Sequence, residues 1–477
     1  MPRAYTVLAP ALAANALLDV SVPVAAQAPS EATIVRHYDL KPDAEQSPLG
    51  QIKRIAVGRG DADAQIVALA DDTHRISLTS LPTPIPEEPE DDARELQIHA
   101  QFRVKPARKS DRWIGLEVLP TGVLSSLSSG QLTLHPFSSS GTTYTASVPS
   151  PLACLRTIPS TSSTGPSQMA LAGKDVELSV WDIERTFAAG AKPKDDGSDG
   201  KSKKRKKGEL EQGEIWRAKH LPNNNLSLQT PINYLSLCIL PTSGSTLIAA
   251  GTKSGHVRKY DTRQRKYVAD WKVAREGGVV TLEAGMHDNE LFFVDASSHF
   301  GVLDTRTGRT LYTYSKQTAT AYSVLPLPST AGGGSTSGQQ RVGMLSLSSD
   351  ATVRLHTVTP PPKEAKGNVV KGEIVGMVGG VGIGTMAFSG FTDLPHPDNE
   401  EEEADGEDGT SEDDEDGENV WDDLKVVRGD SDDDDDQGED SFSESSSEDE
   451  AEALKLKRKK TDGTSKPPLA KPKRSRK

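Results

Sequence analysis

The chain has 477 residues, of which 34% are hydrophobic and 26% are charged. This hydrophobic share is low for a chain that folds throughout, so we expect a sizeable part to be disordered. Two cysteines, Cys154 and Cys238, exclude a disulfide framework and a zinc site with four cysteine ligands. Both lie in apolar runs and are predicted to be reduced thiols in the core of an intracellular protein.

The net charge of −14 is distributed very unevenly along the chain. Residues 398–452 contain 29 acidic and 2 basic residues, whereas residues 453–477 contain 11 basic and 1 acidic residue. The preceding part of the chain is therefore close to neutral. Blocks of like charge repel one another and bury little apolar surface, so we expect both terminal segments to be disordered.

The first 27 residues are rich in alanine and carry Arg3, which makes them similar to a secretory signal. Asn15 and Asp19 interrupt the apolar run, and the lysine-rich clusters further along fit a nuclear protein better. No run reaches the roughly 18 apolar residues of a membrane-spanning helix. We therefore interpret the N-terminus as part of the fold.

Seven segments share one pattern, in which an apolar β-rich run, a small polar turn and an alternating run follow one another. We interpret each as an inner strand, a turn and a third strand. In chain order the segments are residues 4–23, 65–81, 122–137, 168–184, 246–263, 290–306 and 341–358.

The fifth and sixth segments are the most alike, because both end in Asp-Thr-Arg. Their aspartates, Asp261 and Asp304, lie 43 residues apart. That distance is typical of WD40 repeats, each of which forms a four-stranded blade of a β-propeller (about 40–45 residues). The runs between the segments suit outer strands and the next inner strands. The sequence therefore predicts an all-β fold, a seven-bladed WD40 propeller.

The two ends of this propeller are predicted to share a blade. The first segment lacks strands before it, and residues 372–388 supply an extra pair after the seventh. N-terminal strands that complete the last sheet would remove two open edges. We predict a propeller over residues 1–391 with a disordered insert at about 188–214, an acidic disordered segment at 392–452 and a basic disordered tail at 453–477. Residues 81–95 are predicted to be a proline-rich, acidic loop.

The sequence gives little support to catalysis. The histidines are dispersed without metal-binding spacing, and the glycine-rich run 376–384 lacks the Gly-Lys-Ser/Thr ending of a phosphate loop. Trp181 is predicted to pack between blades, and aspartates at strand ends are predicted to hold turns: Asp182, Asp261, Asp304 and Asp350. We predict no enzyme, no cofactor, no metal and no small-molecule substrate.

Basic residues near the strongest repeats form the candidate interface. They would contact RNA phosphates or an acidic partner, although solvated blade edges guarded by charge explain them nearly as well. The candidates are Lys253, Arg258, Lys259, Arg263, Arg306, Arg309 and Arg354, with Arg265 beside them.

The terminal segments carry further candidates. Trp421 and Leu424 are apolar residues in an acidic stretch and are predicted to be a docking motif. Serines followed by acidic residues at 441–447 are typical of kinase sites. The basic clusters predict nuclear import: Lys203, Lys204, Arg205, Lys206, Lys207, Lys457, Arg458, Lys459, Lys460, Lys471, Lys473 and Arg474.

Several motifs resemble one family, the WD-repeat assembly factors of early pre-60S ribosomal particles. The similar segments are Val180-Trp-Asp-Ile183, Ile215-Trp-Arg-Ala-Lys-His-Leu-Pro222, Gly255-His-Val-Arg-Lys-Tyr-Asp-Thr-Arg263, Asp304-Thr-Arg-Thr-Gly-Arg309 and Ser346-Leu-Ser-Ser-Asp-Ala-Thr-Val-Arg-Leu-His356. The resemblance is clearest over residues 173–358, and the long acidic block departs from it. It implies a nucleolar, non-enzymatic propeller that joins other assembly factors and is released by an AAA-type ATPase.

The resulting expectation is a scaffold that docks on nucleolar pre-60S particles and supports processing of large-subunit rRNA. Its expected partners are pre-60S assembly factors, the releasing ATPase and rRNA, with no membrane contact. The alternative is a histone-binding propeller chaperone whose acidic segment shields basic cargo. A hydrolase on a propeller scaffold remains a third possibility and would need a polar cluster in the central channel.

Overall fold

The computed structural model describes residues 3–23, 33–43, 46–60, 65–81, 93–137, 142–159, 166–188, 210–223, 226–241, 246–328, 342–364, 367 and 371–393. The strands of the first half are β1 (Arg3–Pro10), β2 (Ala16–Pro23), β3 (Thr33–Lys41), β4 (Ile52–Arg59), β5 (Gln65–Asp71), β6 (Arg75–Ser80), β7 (Ala93–Gln97), β8 (Ala100–Arg103), β9 (Trp113–Leu119), β10 (Gly122–Leu127), β11 (Gln131–Pro136), β12 (Tyr144–Ser147), β13 (Leu152–Ile158), β14 (Gln168–Gly173) and β15 (Val176–Asp182).

The second half begins with a short helix and continues with strands. These elements are α1 (Ile183–Ala188), β16 (Glu214–Arg217), β17 (Tyr234–Leu240), β18 (Leu247–Thr252), β19 (His256–Asp261), β20 (Tyr267–Lys272), β21 (Val279–Ala284), β22 (Glu290–Asp295), β23 (Phe300–Asp304), β24 (Thr310–Thr313), β25 (Ala321–Pro326), β26 (Val342–Ser348), β27 (Thr352–Val358), β28 (Ile374–Gly379) and β29 (Ala387–Asp393).

The described strands form seven sheets arranged as the blades of a propeller. Six are four-stranded, in the orders β4-β5-β6-β8, β9-β10-β11-β12, β13-β14-β15-β16, β17-β18-β19-β20, β21-β22-β23-β24 and β25-β26-β27-β28. The seventh, the closing blade, has the order β29-β1-β2-β3-β7. The predicted all-β, seven-bladed architecture is confirmed.

Each of the seven segments found in the sequence forms a hairpin, but not from the innermost strand. The hairpins are the second and third strands of their blades, as in the pair β18 and β19. The innermost strand is the apolar run that precedes the hairpin, and these innermost strands line a central channel. The runs between the segments were predicted to include the next inner strands, and they supply these innermost strands, as in β21 and β25.

The hairpin turns repeat one backbone conformation. In each blade, one residue between the second and third strands has a positive φ, which lets the chain reverse tightly. These residues are Asn15, His74, Gly130, Asp175, Gly255, Ser298 and Ala351. An aspartate at the end of the second strand reinforces two of the turns. Asp295, for example, accepts hydrogen bonds from the backbone N–H groups of Ser297 and His299, both at 2.9 Å.

The apolar core lies between neighbouring blades. Among the described residues, seven clusters of buried side chains each join one blade to the next. Trp181 belongs to the cluster between the blades of β9–β12 and β13–β16, and its Nε1–H donates to Ser179 Oγ at 2.8 Å. The predicted packing of this ring between blades is confirmed. Because each blade buries both faces against its neighbours, no blade completes its core alone.

The closing blade joins the two ends of the described chain. The N-terminal strand β1 pairs with β2 on one side and with β29 on the other, both antiparallel. Thr6 and Thr392 hydroxyls lie 2.8 Å apart across the β1–β29 pair. One apolar cluster links this blade to β25–β28 and another links it to β4–β6. The predicted shared blade is confirmed, and the alanine-rich N-terminus forms its strands.

One strand of the closing blade comes from an unexpected place. β7 pairs in parallel with β3, with His37 opposite Ala93 and Lys41 opposite Gln97. Residues 93–95 were predicted to belong to a loop, so the loop ends earlier than the sequence indicated. The chain then returns to its own blade as β8. The chain from β6 to β8 therefore passes through the closing blade and links it covalently to the next blade.

Two predicted boundaries fall near described elements. The insert at 188–214 begins at the last residue of α1, and its end overlaps β16, while residues 189–209 lie outside the described residues. β29 continues to Asp393, two residues beyond the predicted end of the propeller. Residues 394–477 lie outside the described part of the chain. Among the described residues, no helix is long and apolar enough to cross a membrane.

Removal of β29 tests the closure. A chain that ends at Met386 leaves the β1 edge open and exposes the cluster shared with β25–β28. We expect it to lose the cooperative thermal unfolding transition or to aggregate. A chain that ends at Pro397 keeps β29 and serves as the control, because it should unfold at the same temperature as the full chain. Equal transitions for both truncations would contradict the closure.

Ala351 offers a test of the turn conformation. It has a φ of 59°, a region that costs a non-glycine residue about 1–2 kcal/mol. Allowing for the backbone entropy of glycine, we expect Ala351→Gly to raise the free energy of unfolding by about 0.5–1 kcal/mol in urea titrations. Ala170→Gly, in the middle of β14, is the matched control and should lower stability. A destabilising Ala351→Gly would contradict the assigned turn.

Candidate functional site

The two Asp-Thr-Arg motifs are clamps that hold turns between third and fourth strands. The Asp261 carboxylate accepts the backbone N–H of Arg263 at 2.9 Å and the Arg263 Nη2 at 2.6 Å. Asp304 accepts the same groups of Arg306 at 2.8 and 2.9 Å. The Arg263 side chain holds the pKa of Asp261 below its usual value. The predicted turn-holding role of these aspartates is confirmed.

Asp350 and Asp182 hold their chain segments in other ways. Asp350 accepts hydrogen bonds from Arg354, Thr352 and Thr318, and the Arg354 guanidinium holds the pKa of Asp350 well below its usual value. Asp182 accepts the backbone N–H of Arg185 at 2.8 Å, in the first turn of α1. These aspartates are bound locally, so they do not converge on a common site.

Two of the predicted interface residues are not on the surface. Arg258 is 8% exposed and pairs with Asp270 at 3.1 Å, and Arg354 is 4% exposed and pairs with Asp350. Their third-strand positions point the side chains into the stack of blades, where a carboxylate partner is needed to compensate for burial. Neither residue belongs to an exposed basic stripe, which corrects the interpretation from the sequence.

The remaining candidates divide between two faces of the disk. Strands alternate in direction within a blade, so second-to-third turns and connections to the next blade share one face, the upper face; all other turns lie on the lower face. Lys253 is exposed on the upper face. Arg263, Arg306 and Arg309 follow third strands and lie on the lower face. The structure therefore does not bring these residues together into one surface.

Contacts also engage several of these cations. Lys259 Nζ donates to the carbonyl of Thr305 in the neighbouring blade at 3.1 Å, and Arg265 Nε donates to the carbonyl of Arg217 at 2.9 Å. Arg306 donates to the carbonyls of Pro362 and Lys363. Arg263 keeps 73% of its side chain exposed despite its clamp. Lys253 and Arg309 are exposed, and neither cationic group has a bonding partner within the described residues.

The candidates in the insert and terminal segments lie outside the described residues. They comprise the basic cluster at 203–207, the apolar pair Trp421 and Leu424, the serines at 441–447 and the basic clusters at 457–460 and 471–474. Their proposed roles in docking, modification and import stay predictions.

The central channel contains a group of charged side chains. The innermost strands enclose a cavity of about 330 Å³, into which Arg54, Glu117, Arg156 and Glu283 project. Arg156 Nη2 lies 2.6 Å from Glu283 Oε2, and Arg156 Nε donates to the carbonyl of Leu237 at 3.4 Å. Arg156, Leu237 and Glu283 come from β13, β17 and β21. The ion pair and the hydrogen bond of Arg156 together therefore link three consecutive blades.

The charged side chains in the channel are surrounded by protein, but solvent can reach them along the channel. Burial raises the pKa of Glu117, although the nearby Arg156 opposes the effect. Burial likewise raises the pKa of Glu283, again against Arg156. The Arg156 side chain nevertheless keeps 43% of its surface accessible, so solvent screens the pair and its net contribution is modest. We interpret the Arg156–Glu283 pair mainly as a structural contact between blades.

The channel has some of the polarity that a hydrolase on this scaffold would need. Its best-placed carboxylate, Glu283, is already bound to Arg156. Within the described residues, no group of three or more histidine, cysteine, aspartate or glutamate side chains is placed to hold a metal ion. A β-propeller is typically a non-catalytic scaffold, and two of the four channel charges, Arg156 and Glu283, are joined in an ion pair.

Both cysteines are buried and free of disulfides, as predicted. Burial raises the pKa of the Cys154 thiol to about 12 and raises that of Cys238 as well. A thiol with so high a pKa is protonated at neutral pH and is a poor nucleophile. The two side chains act as small core residues.

One basic surface was not predicted from the sequence. Residues 103–112, which connect β8 to β9 across the upper face, contain five exposed cations: Arg103, Lys105, Arg108, Lys109 and Arg112. These residues lie between two hairpins and carry none of the repeat pattern. The local density of basic residues was a signal that could have identified this segment.

No protein-family model matches the chain, and no curated protein sequence matches it significantly.

The Asp304 clamp generates a pH-dependent prediction. Burial alone would raise the pKa of Asp304, but hydrogen bonds from Arg306 reverse the effect and the pKa is lowered. Its stabilising effect is therefore complete above the unfolded pKa of about 4 and is lost as pH falls below that value. We expect Asp304→Asn to cost about 2 kcal/mol at neutral pH and progressively less below pH 4, measured by urea unfolding.

Asp288→Asn is the matched control in the same blade. Asp288 is exposed, and no side-chain bond within the described residues engages it. Its substitution should change stability by less than about 0.5 kcal/mol at any pH. A cost for Asp304→Asn that stays constant down to pH 3, or that equals the control, would argue against the clamp.

Proposed function

We propose that this chain is a non-enzymatic scaffold of ribosome biogenesis, a WD-repeat assembly factor that docks on early nucleolar pre-60S particles. The observation that carries the proposal is the combination of a closed seven-bladed ring with the family-like segments in its blades. Residues 180–183 end β15 and begin α1, residues 255–263 span β19, and residues 346–356 span the turn between β26 and β27. All three segments therefore lie in the strands of the blades or directly beside them.

A rigid ring with exposed edges suits a docking role. Apolar side chains remain exposed on outer strands, including Tyr267 (38%) and Val268 (52%) on β20 and Met377 (62%) on β28. On the upper face, Leu12 and Ile383 are 54% and 43% exposed beside the β1–β2 turn. Singly scattered apolar residues are common on protein surfaces, so these side chains are compatible with docking and do not by themselves mark one site. The ring itself supports several partners without rearranging.

The remaining parts of the proposal rest on the sequence. The basic clusters support import into the nucleus, and the resemblance supports nucleolar partners, which we propose to be pre-60S assembly factors, rRNA and an AAA-type releasing ATPase. The same acidic segment that departs from the family would suit a histone chaperone. A test of the proposal must therefore distinguish binding to histones from binding to pre-ribosomal proteins.

Affinity purification of the full chain tests the proposal. We expect pre-60S assembly factors and precursors of large-subunit rRNA to co-purify, and depletion of the protein should reduce those precursors. Recovery of histones without pre-ribosomal proteins, or unchanged rRNA processing after depletion, would count against it.

Two point variants identify the face that docks. Lys253→Glu alters the upper face, and Arg309→Glu makes the same charge change on the lower face. Both residues are exposed, and neither cationic group has a bonding partner within the described residues, so both variants should fold. If one face carries the docking surface, one variant should lose pre-60S proteins while the other retains them. Full retention by both would contradict docking through these charged surfaces.

A further inference from the structure

The connection between β8 and β9 concentrates positive charge on the upper face. It spans residues 103–112, and its five basic side chains are all exposed. The segment contains one acidic residue, Asp111, which is 8% exposed and turned into the structure. Arg75 lies directly opposite Arg103 in the β6–β8 ladder, which adds a sixth cation beside the segment. The outward-facing charge of this connection is therefore positive throughout.

The connection is anchored to the two blades it joins. The Asp111 carboxylate accepts the backbone N–H of Arg108 at 2.9 Å, and the Asp111 carbonyl lies 3.0 Å from His74 Nε2. Val104 N–H donates to the carbonyl of His74 at 2.9 Å, and Ser128 N–H donates to the carbonyl of Arg112 at 3.0 Å. These bonds hold the backbone in one conformation. The backbone that carries the cations is therefore held in place, which lowers the entropic cost of binding.

The path of the connection is set by the architecture. It leaves the outermost strand of one blade and enters the innermost strand of the next, so it must cross the face from rim to channel. With strands about 4.8 Å apart, the three intervals of a four-stranded sheet span about 14 Å. At the inner end, Arg54 Nη2 lies 3.5 Å from the Trp113 carbonyl and faces the channel beside Arg156. The positive charge thus forms a line along one radius of the disk.

The chemistry of this line fits phosphate better than a protein surface. Protein interfaces are centred on apolar and aromatic side chains and are depleted of charge in their core. None of the exposed large apolar side chains of the described residues lies in the connection. Arginine supplies three of its five cations, and the guanidinium group binds phosphate oxygens in a bidentate manner. Ordered arginines without an apolar centre are typical of contacts to a nucleic-acid backbone.

We propose that residues 103–112 bind the phosphate backbone of RNA on the upper face, with Arg108, Lys109 and Arg112 as the principal contacts. The choice of RNA rather than DNA rests on the proposed function, whereas the phosphate contact itself rests on the structure. The contact positions the strand and reads no base sequence. Its affinity should fall steeply with salt, because each phosphate contact releases a counterion.

A triple substitution, Arg108→Gln with Lys109→Gln and Arg112→Gln, tests the contact in the full-length chain. The matched control is Arg185→Gln with Lys266→Gln and Lys363→Gln, which removes three exposed cations from third-to-fourth-strand connections on the lower face. Both variants change the net charge equally and retain the basic tail. Equal thermal transitions for the two variants and the parent protein establish that all three fold.

The probe is a fluorescein-labelled single-stranded RNA of mixed sequence, and affinity is measured by fluorescence anisotropy across a range of salt concentrations. We expect the upper-face variant to bind about tenfold more weakly and to reduce the slope of log affinity against log salt by about two, as expected for three lost contacts to a single strand. The control should keep the parental slope. Ultraviolet crosslinking should also attach the RNA to peptides covering residues 103–112.

Three results would overturn the proposal. The first is an equal loss of affinity in both variants together with no crosslink in residues 103–112. The second is competition by a glutamate-rich peptide as effective as competition by unlabelled RNA, which would indicate an acidic protein as the partner. The third is a slope of log affinity against log salt that is the same for the upper-face variant and the parent, which would show that these three residues release no counterions on binding. Co-purification of pre-60S factors by the upper-face variant would leave the proposed function intact in each case.

Discussion

The antiparallel pairing of β1 with β29 is the constraint on which the rest of the structure depends. Five of the other blades are built from four consecutive strands, and the blade β4-β5-β6-β8 omits only β7, so these six sheets can form locally. The closing blade instead requires strands from opposite ends of the propeller, separated by more than 370 residues in the ladder of Thr6 and Gly390. Until that pair forms, two blades have an apolar face without a neighbour. Closure therefore completes the core as well as the sheet.

Closure also determines what the molecule can do. A ring with fully buried blade faces leaves turns, connections and outer strands for contact with other molecules. The channel at its centre holds the ion pair of Arg156 and Glu283, which braces blades from within. The connections between blades cross the upper face radially, and their exposed side chains are free to vary because the core does not use them. The positive line of residues 103–112 is one result of that freedom.

Much of the fold was predictable because the repeat has a local physical basis. Each hairpin needs an apolar strand, a tight turn and an alternating strand, and that pattern is readable from residues such as 246–263. The candidate surface was less predictable. In the sequence, Arg258 and Arg354 look no different from arginines on the surface. Only the folded third strands show that their side chains are buried and pair with Asp270 and Asp350. The parallel strand β7 depends on tertiary contact with β3, which no local pattern indicates.

Amide hydrogen exchange of β1 and β29, followed by mass spectrometry, tests the closed ring most directly. In a closed ring both strands are paired within a sheet and packed against buried clusters, so their amides exchange only when the propeller unfolds. Closure predicts protection of residues 3–10 and 387–393 comparable to that of the central strand β18. Rapid exchange in both strands, with β18 protected, would show that the two ends are not joined and that the ring is open.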